Sequence, residues 1–454
     1  MDELKFIIPL LFITLVSLSY ARFGKLINPF SIIVSWWSGW LFVSNFSPTG
    51  LFIPSAYTQS LVLIMLIGLI MGCMIPYSSP KIAVAAEFIN NEFYKKCSKL
   101  NYLNICIFPI TLFYLSRALN IFFTEGLLGY RNAVFEGDGG GSSLLFTYGY
   151  IEYLYNLFVS PMIFLSLVLS IVFYIFYNNK RYVLLSVILV IMEGVLRMGR
   201  FAYYNIIVLF LLSLIFLYQK YKSKKLLSTE YYRRIKSKIF KIVSIIILMV
   251  LLVLLVSHLR IISNSNFEGI SEMVKSSIID SHIFGFTLLD SEITNRQSLL
   301  NSRLSYGRST LGGIDDTIII FMRRFDKNLI SIVREAGTER YEHVVVGYYE
   351  NGFPKTANAY YTIVSSLYMD GREPFIFCAS SIFGFVLLMY YRRWLVNRYL
   401  SDLTLVIYLT HMALFSIFMS PPEGSRFWIV LIVLIAINIK QHRRAKIVLY
   451  RKLK

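Results

Sequence analysis

The chain has 454 residues, 56% of them apolar and only 16% charged, with 45 Lys and Arg against 26 Asp and Glu. That composition excludes an ordinary soluble domain and places the protein in the membrane class. Four cysteines (Cys73, Cys97, Cys106, Cys378) fall in or beside apolar runs with no CxxC pair, so they read as small hydrophobes rather than a disulfide framework or thiolate metal site.

A spanning helix needs roughly 20 mostly apolar residues, and eleven segments meet that rule. The first three lie near 4–20, 28–45 and 57–77. The opening "MDELK" has no basic n-region and no small-residue cleavage site, so the first segment is expected to be a retained span rather than a signal peptide. A fourth span near 103–122 leads into "TEGLLGYRNAVFEGDGGGSSLLFTYGY" at 123–149. Its glycine run lacks the GK[ST] ending of a phosphate-binding loop and predicts a flexible linker, in which Arg131 is the residue to keep. The aromatic stretch Thr147–Tyr155 is interfacial or re-entrant and enters a span near 150–177, which Pro161 is expected to kink.

Spans near 182–197 and 201–219 flank the short turn "VLRMGRFAYYN". Glu193 stands one helical turn before Arg197, the spacing of an ion pair. Arg200, beside Gly199, has no acid within a helical turn of it in the sequence and is expected to point outward.

An eighth span near 241–258 precedes the dominant loop, 259–373. Within it "LGGIDDTIIIFMRRFDKNLISIVREAG" predicts one amphipathic helix. Ile318, Phe321, Met322, Phe325, Leu329, Ile332 and Val333 recur at three- and four-residue spacing, and Arg323, Arg324, Lys327 and Arg334 form a cationic face. The loop ends in "GYYENGFPKTANAYYTIVSSLYMDGREPF", rich in tyrosine and asparagine, just before the last spans near 374–391, 399–418 and 427–440. In "YMDGREP", Gly371 has the place of a helix cap and Pro374 that of a helix opener.

Charge fixes orientation, since basic short loops stay in the cytoplasm. The basic set (21–27, 78–102, 178–181, 220–241, 392–398 and the tail) holds 17 Lys and 10 Arg. Placed inside, it gives an external N-terminus and a cytoplasmic C-terminus. The other 18 cations are 14 Arg and only four Lys. Arg offers a planar fork suited to phosphate, where Lys is a point charge, so the outer face is expected to hold a stable anion.

Metal chemistry finds little support, with scattered histidines, no HExxH and only Asp290-x-Glu292 as a weak pair. His411 reads as a buried core histidine. What remains is an external constellation. Arg131, Arg200, Arg303, Arg308, Arg323 and Arg324 are expected to surround a diphosphate and stabilise charge on it as it departs. The polar-aromatic stretch at 347–373 is suited to sugars, rings stacking on their apolar faces and amides bonding hydroxyls. An attacking hydroxyl then needs a base, and His343, Glu350 and Asp370 all qualify.

The eleven-span pattern, the "GRFAYYNIIVLFLL" hairpin and the large loop ending in "KTANAYYTIVSSLYMDG" resemble the O-antigen polymerases, the repeat-unit polymerases of the Wzy-dependent pathway. The resemblance implies an all-α, polytopic, C-type glycosyltransferase of the bacterial inner membrane. Its parts would be spans 1–8 over 1–258, a helical periplasmic loop over 259–373, and the last spans with a basic tail over 374–454. It implies transfer of a growing glycan from undecaprenyl diphosphate to a new lipid-linked repeat unit at the periplasmic face, with no nucleotide sugar, metal or other cofactor. The implied partners are the undecaprenyl-diphosphate-linked oligosaccharide, a chain-length-determining copolymerase and the bilayer, with no nucleic acid. Arg200 matches the arginine of the short outer hairpin, and Arg303 or Arg308 a second diphosphate ligand in the loop. Asn358 with Tyr360 matches the Asn-aromatic position, and Asp370 the Asp-Gly position. The related O-antigen ligases carry a functional His near the end of this loop. No His lies between Val344 and Phe375 here, which favours polymerase over ligase. A third reading is a lipid-linked oligosaccharide flippase, but transporters place polar groups near the midplane between repeated halves, and here the midplane is poor in charge.

Overall fold

A computed structural model describes residues 2–80, 86–135, 145–146, 149–222, 243–252, 275–340, 344–349, 352–357 and 361–453. The chain is mostly helical. Seven helices are long and apolar enough to cross a membrane: Phe6–Phe23, Ala56–Met74, Ala86–Leu127, Gly149–Tyr177, Phe201–Gln219, Ile363–Asn397 and Ser425–Val448. Shorter helices Pro29–Ser44, Lys180–Leu196, Val243–Leu252 and Leu400–Phe415 occupy the other four expected positions. At 1.5 Å per residue, a helix of 16 residues reaches about 24 Å, short of a roughly 30 Å hydrocarbon core.

Two compact units divide the chain, and neither is contiguous in sequence. The first comprises Met1–Ile82 with Val274–Trp428; the second comprises Ala83–Met273 with Ile429–Lys454. The described part of the large loop therefore folds within the first unit, with spans, instead of standing apart.

In the first unit, small residues set the closest helix crossing. A Cβ at Gly68 would lie 2.1 Å from Ser380 Oγ, one at Gly72 2.0 Å from the Ser381 carbonyl, and one at Gly384 2.2 Å from the Leu69 carbonyl. Ala56–Met74 and Ile363–Asn397 thus meet backbone to backbone through Gly68-x-x-x-Gly72 and Ser380-x-x-x-Gly384, a pattern that lets helices approach where the hydrophobic effect gives no drive. Pro29–Ser44 starts with a reciprocal capping box between Asn28 and Ser31. It is tied to Leu400–Phe415 by Trp36 and Trp37, whose indole N–H groups donate to Leu414 (3.1 Å) and Ala413 (2.9 Å) carbonyls.

The loop departs from expectation in two ways. It contains a two-stranded antiparallel hairpin, Val344–Tyr348 with Pro354–Ala357, so the fold is not wholly helical. Three consecutive valines favour a strand. The Phe52 N–H donates to the Val346 carbonyl at 2.8 Å and the Tyr348 N–H to the Gly50 carbonyl at 3.0 Å, extending the pairing to a third segment. The predicted single amphipathic helix is instead two, Gly312–Met322 and Ile332–Arg340. Arg323 Nε donates to the Leu329 carbonyl at 2.7 Å, and the Asp326 carboxylate accepts from the Asn328 N–H at 3.0 Å, which closes a turn that periodicity cannot foresee. Ile332 is buried, whereas Ile318, Phe321 and Met322 are exposed, and Phe325 is 91% exposed.

In the second unit, Leu100–Phe135 runs through the expected linker to Phe135 and bends at Gly126, where φ is 74°. A π turn, Tyr155–Val159, runs without a break into Ser160–Tyr177, so that Pro161 stands at their junction inside one continuous helix. Asn104 and Ser186 hydrogen-bond in the interior at 3.0 Å, and Arg444 pairs with Glu92 at 2.5 Å.

Candidate functional site

The candidate site residues fall in both units. Arg131 and Arg200 belong to the second; Arg303, Arg308, Arg323, Arg324 and Asp370 belong to the first. His343, Glu350, Asn358 and Tyr360 lie outside the described residues.

The second unit builds its constellation on the 197–200 turn. Met198 adopts a left-handed φ of 48°, uncommon for a residue with a side chain. Gly194 lets the two arms close, since a Cβ there would lie 2.7 Å from that of Ala202. The expected Glu193–Arg197 pair is present at 3.3 Å, with Glu193 buried. It has three supports that sequence reasoning missed. Ser160 donates to Glu193, Asn156 accepts from Arg197, and the Arg197 guanidinium lies 5.8 Å from the Tyr155 ring centre. Asn156 and Tyr155 sit on the π turn, a geometry frequent at functional sites. Tyr130 donates to the Val195 carbonyl and anchors the arm beyond Gly126. Arg200 is half-buried and engaged with its surroundings, and Arg131 is exposed on that arm.

In the first unit, Asp370 organises an elbow. It ends the first part of Ile363–Asn397, just before the non-helical pair Gly371 (φ 179°) and Arg372 (φ 59°). This is the break that "YMDGREP" predicts. Asp370 is 1% exposed, and its carboxylate accepts from the Ser309 N–H (2.9 Å), the Thr310 N–H (2.8 Å) and the Ser305 hydroxyl. The Met369 and Asp370 carbonyls accept from Ser305 N–H (2.9 Å) and Tyr306 N–H (3.2 Å). Tyr306 and Gly307 turn the chain with φ of 50° and 91°. Arg372 donates to the Leu300 and Asn301 carbonyls and lies 4.5 Å from the Tyr368 ring centre. Three donors engage the Asp370 carboxylate and hold the elbow.

The loop arginines do not form an open ring around a vacant anion site. Arg308 is bidentate to Asp315 at 2.9 and 3.1 Å, and that hydrogen-bonded pair raises its already high pKa. Arg303 donates to Glu335 at 2.6 Å, and Arg334 to Asp316 at 2.8 Å. Arg323 is oriented by its Nε bond to the Leu329 carbonyl in the turn described above, and Arg324 is exposed. Neutralisation by neighbours is the correction to the expected cage: each acid lies far along the sequence or across a turn, so composition alone counted cations and missed their partners. Lys355, part of the polar-aromatic stretch, is likewise committed. It forms a buried ion pair with Asp280 at 3.1 Å.

Asp290 caps Ala56–Met74, accepting from the Ser55 N–H (3.0 Å) and the Thr58 hydroxyl (2.6 Å). Among the described residues no group of three His, Cys, Asp or Glu is placed to hold a metal ion. His411 is buried and stacks on Phe415 at 4.5 Å, and His282 stacks on Trp40 at 4.0 Å.

No protein-family model matches the chain, and neither a curated protein nor a solved structure matches it.

Proposed function

We propose that this protein is a lipid-linked oligosaccharide polymerase of the O-antigen type, with eleven spans, basic loops in the cytoplasm and the large loop at the periplasmic face of the inner membrane. The observation that carries the reading is the Asp370 elbow. It fixes the Ser305–Thr310 turn against the break in a span helix, and so presents Arg308, 43% exposed, with a fork already aligned on two carboxylate oxygens. Phosphate oxygens accept the same two parallel bonds. Asp315 then acts as a placeholder that keeps the guanidinium oriented until a diphosphate displaces it.

In the transfer, a hydroxyl of the incoming repeat unit attacks the anomeric carbon of the growing glycan. The bond from that carbon to the diphosphate breaks, and the leaving group departs with the electron pair. Arg308 stabilises the charge on the departing diphosphate. His343 and Glu350 are the candidates for the hydroxyl proton, Asp370 being engaged by the elbow. The copolymerase and the lipid-linked oligosaccharide are the partners this reading requires. The exposed apolar residues Ile318, Phe321, Met322 and Phe325 suit contact with the bilayer surface.

The test is complementation of a deletion strain. Arg308→Ala should leave lipopolysaccharide with zero or one repeat unit, and Arg308→Lys should fail too, because an ammonium cannot make the bidentate contact. An unchanged ladder from these variants removes Arg308 from the site, and a bare core in the deletion strain favours a ligase or flippase.

A further inference from the structure

At one end of the first unit three apolar helices finish together: Asp2–Phe23, Ala56–Met74 and Ile363–Asn397. Their termini are laced by cations. Arg22 donates to the Ile75 carbonyl at 3.0 Å, Arg392 to the Arg22 carbonyl at 3.0 Å, and Arg393 to the Tyr77 hydroxyl at 3.1 Å. Asn397 joins them through the Pro80 carbonyl at 3.2 Å. Aromatic rings back the guanidinium groups, with Arg392 5.2 Å from Phe23, Arg393 5.7 Å from Tyr390 and Arg398 5.2 Å from Trp394.

Lys25 is the fifth cation, half-buried, its pKa drawn below the usual lysine range by burial and then by Arg398. The stretches that build this end, residues 20–28, 75–80 and 390–402, contain a single acid, Asp402, and it is wholly buried in the first turn of Leu400–Phe415.

Helix-end carbonyls account for one bond to Arg22 and one to Arg392, the usual partnership of cations with C-termini. They do not balance the charges of Arg22, Lys25, Arg392 and Arg393. A guanidinium carries five N–H donors, and Arg22, Arg392 and Arg393 each make one hydrogen bond among the described residues. The guanidinium groups are held in place with most of their donors unfilled, which is the pre-organisation an anion site needs.

We propose that this basic end is a binding site for a phosphate group, supplied by the headgroup of an anionic membrane lipid. All three helices are long and apolar enough to span, so their termini lie where headgroup phosphates lie. The surrounding Phe23, Tyr77, Tyr390 and Trp394 suit that interface. The inference is independent of the polymerase reading.

The experiment uses the full chain in neutral detergent. Thermal unfolding is followed with phosphatidylglycerol, phosphatidylcholine or inorganic phosphate added at equal concentration, and native mass spectrometry counts retained lipid. Phosphatidylglycerol should raise the Tm and remain bound, while phosphatidylcholine should do neither. Arg22→Gln/Arg392→Gln should bind phosphatidylglycerol at least tenfold more weakly. Arg393→Gln, which gives up the Tyr77 hydrogen bond and the Tyr390 ring contact but no helix-end carbonyl, should weaken it too, while Lys95→Gln on the exposed face of Ala86–Cys97 should not. A response to inorganic phosphate that the same variants abolish keeps the site and makes its source a soluble phosphate. Equal stabilisation by phosphatidylcholine, or undiminished binding by both cluster variants, overturns the proposal.

Discussion

Asp370 shows how one carboxylate can hold a loop against a membrane helix. Its oxygens face two backbone N–H groups and a hydroxyl in a buried setting. Replacing it with Asn turns an amide NH2 toward one of those donors. Asp370→Asn should cost about 1–3 kcal/mol, seen as a lower Tm and faster amide exchange at Ser309 and Thr310. Native exchange at those two amides would refute the elbow. Lys355 makes a second residue-scale case. With Asp280 1% and Lys355 7% exposed at their side chains, Lys355→Met strands a buried charge, and breaking such a pair costs about 3–5 kcal/mol. Asp280→Asn/Lys355→Met should recover much of that loss in thermal unfolding, because the desolvation penalty leaves with the charges. If the double variant is as unstable as the single, lost packing rather than lost charge dominates.

Among the elements, the crossing of Ala56–Met74 with Ile363–Asn397 is set by the absence of side chains. Gly72→Ala puts a methyl group 2.0 Å from the Ser381 carbonyl. The helices must separate, at about 1–3 kcal/mol for overpacking. Gly39 lies within Pro29–Ser44, and a methyl group added there would meet nothing within 4 Å. Gly39→Ala should therefore be neutral or gain up to about 1 kcal/mol from helix propensity. Equal Tm changes at Gly72 and Gly39 would show that propensity, not contact, governs both. The loop obeys the same logic, since a Cβ at Gly313 would meet the Gly424 carbonyl carbon at 2.4 Å. "GG" before "IDD" announces a helix start, and the structure adds that these glycines admit a second backbone.

For the whole molecule, the sequence-based topology predicts that a reporter fused near residue 225 or after residue 454 is cytoplasmic and one near residue 327 is periplasmic. Reporters at 225 and 327 on one side would break the eleven-span count. The seven long helices lie within the segments that hydropathy marks, or extend them. The two-unit division was not visible in the same way, because each unit joins stretches separated by an insertion, about 190 residues in the first unit and about 155 in the second.

The apolar spans could be read from the sequence because, in lipid, a backbone has no solvent to bond and must satisfy itself locally; an apolar run is then a helix whatever its neighbours. The break at Gly371 and the Glu193–Arg197 pair were legible for the same local reason. The fate of the arginines was not. Arg303 meets Glu335 across 32 residues, and Ser305 meets Asp370 across 65. Whether a guanidinium faces a ligand or a neighbouring acid depends on which distant segment the fold brings within about 3 Å, and only the tertiary structure decides that.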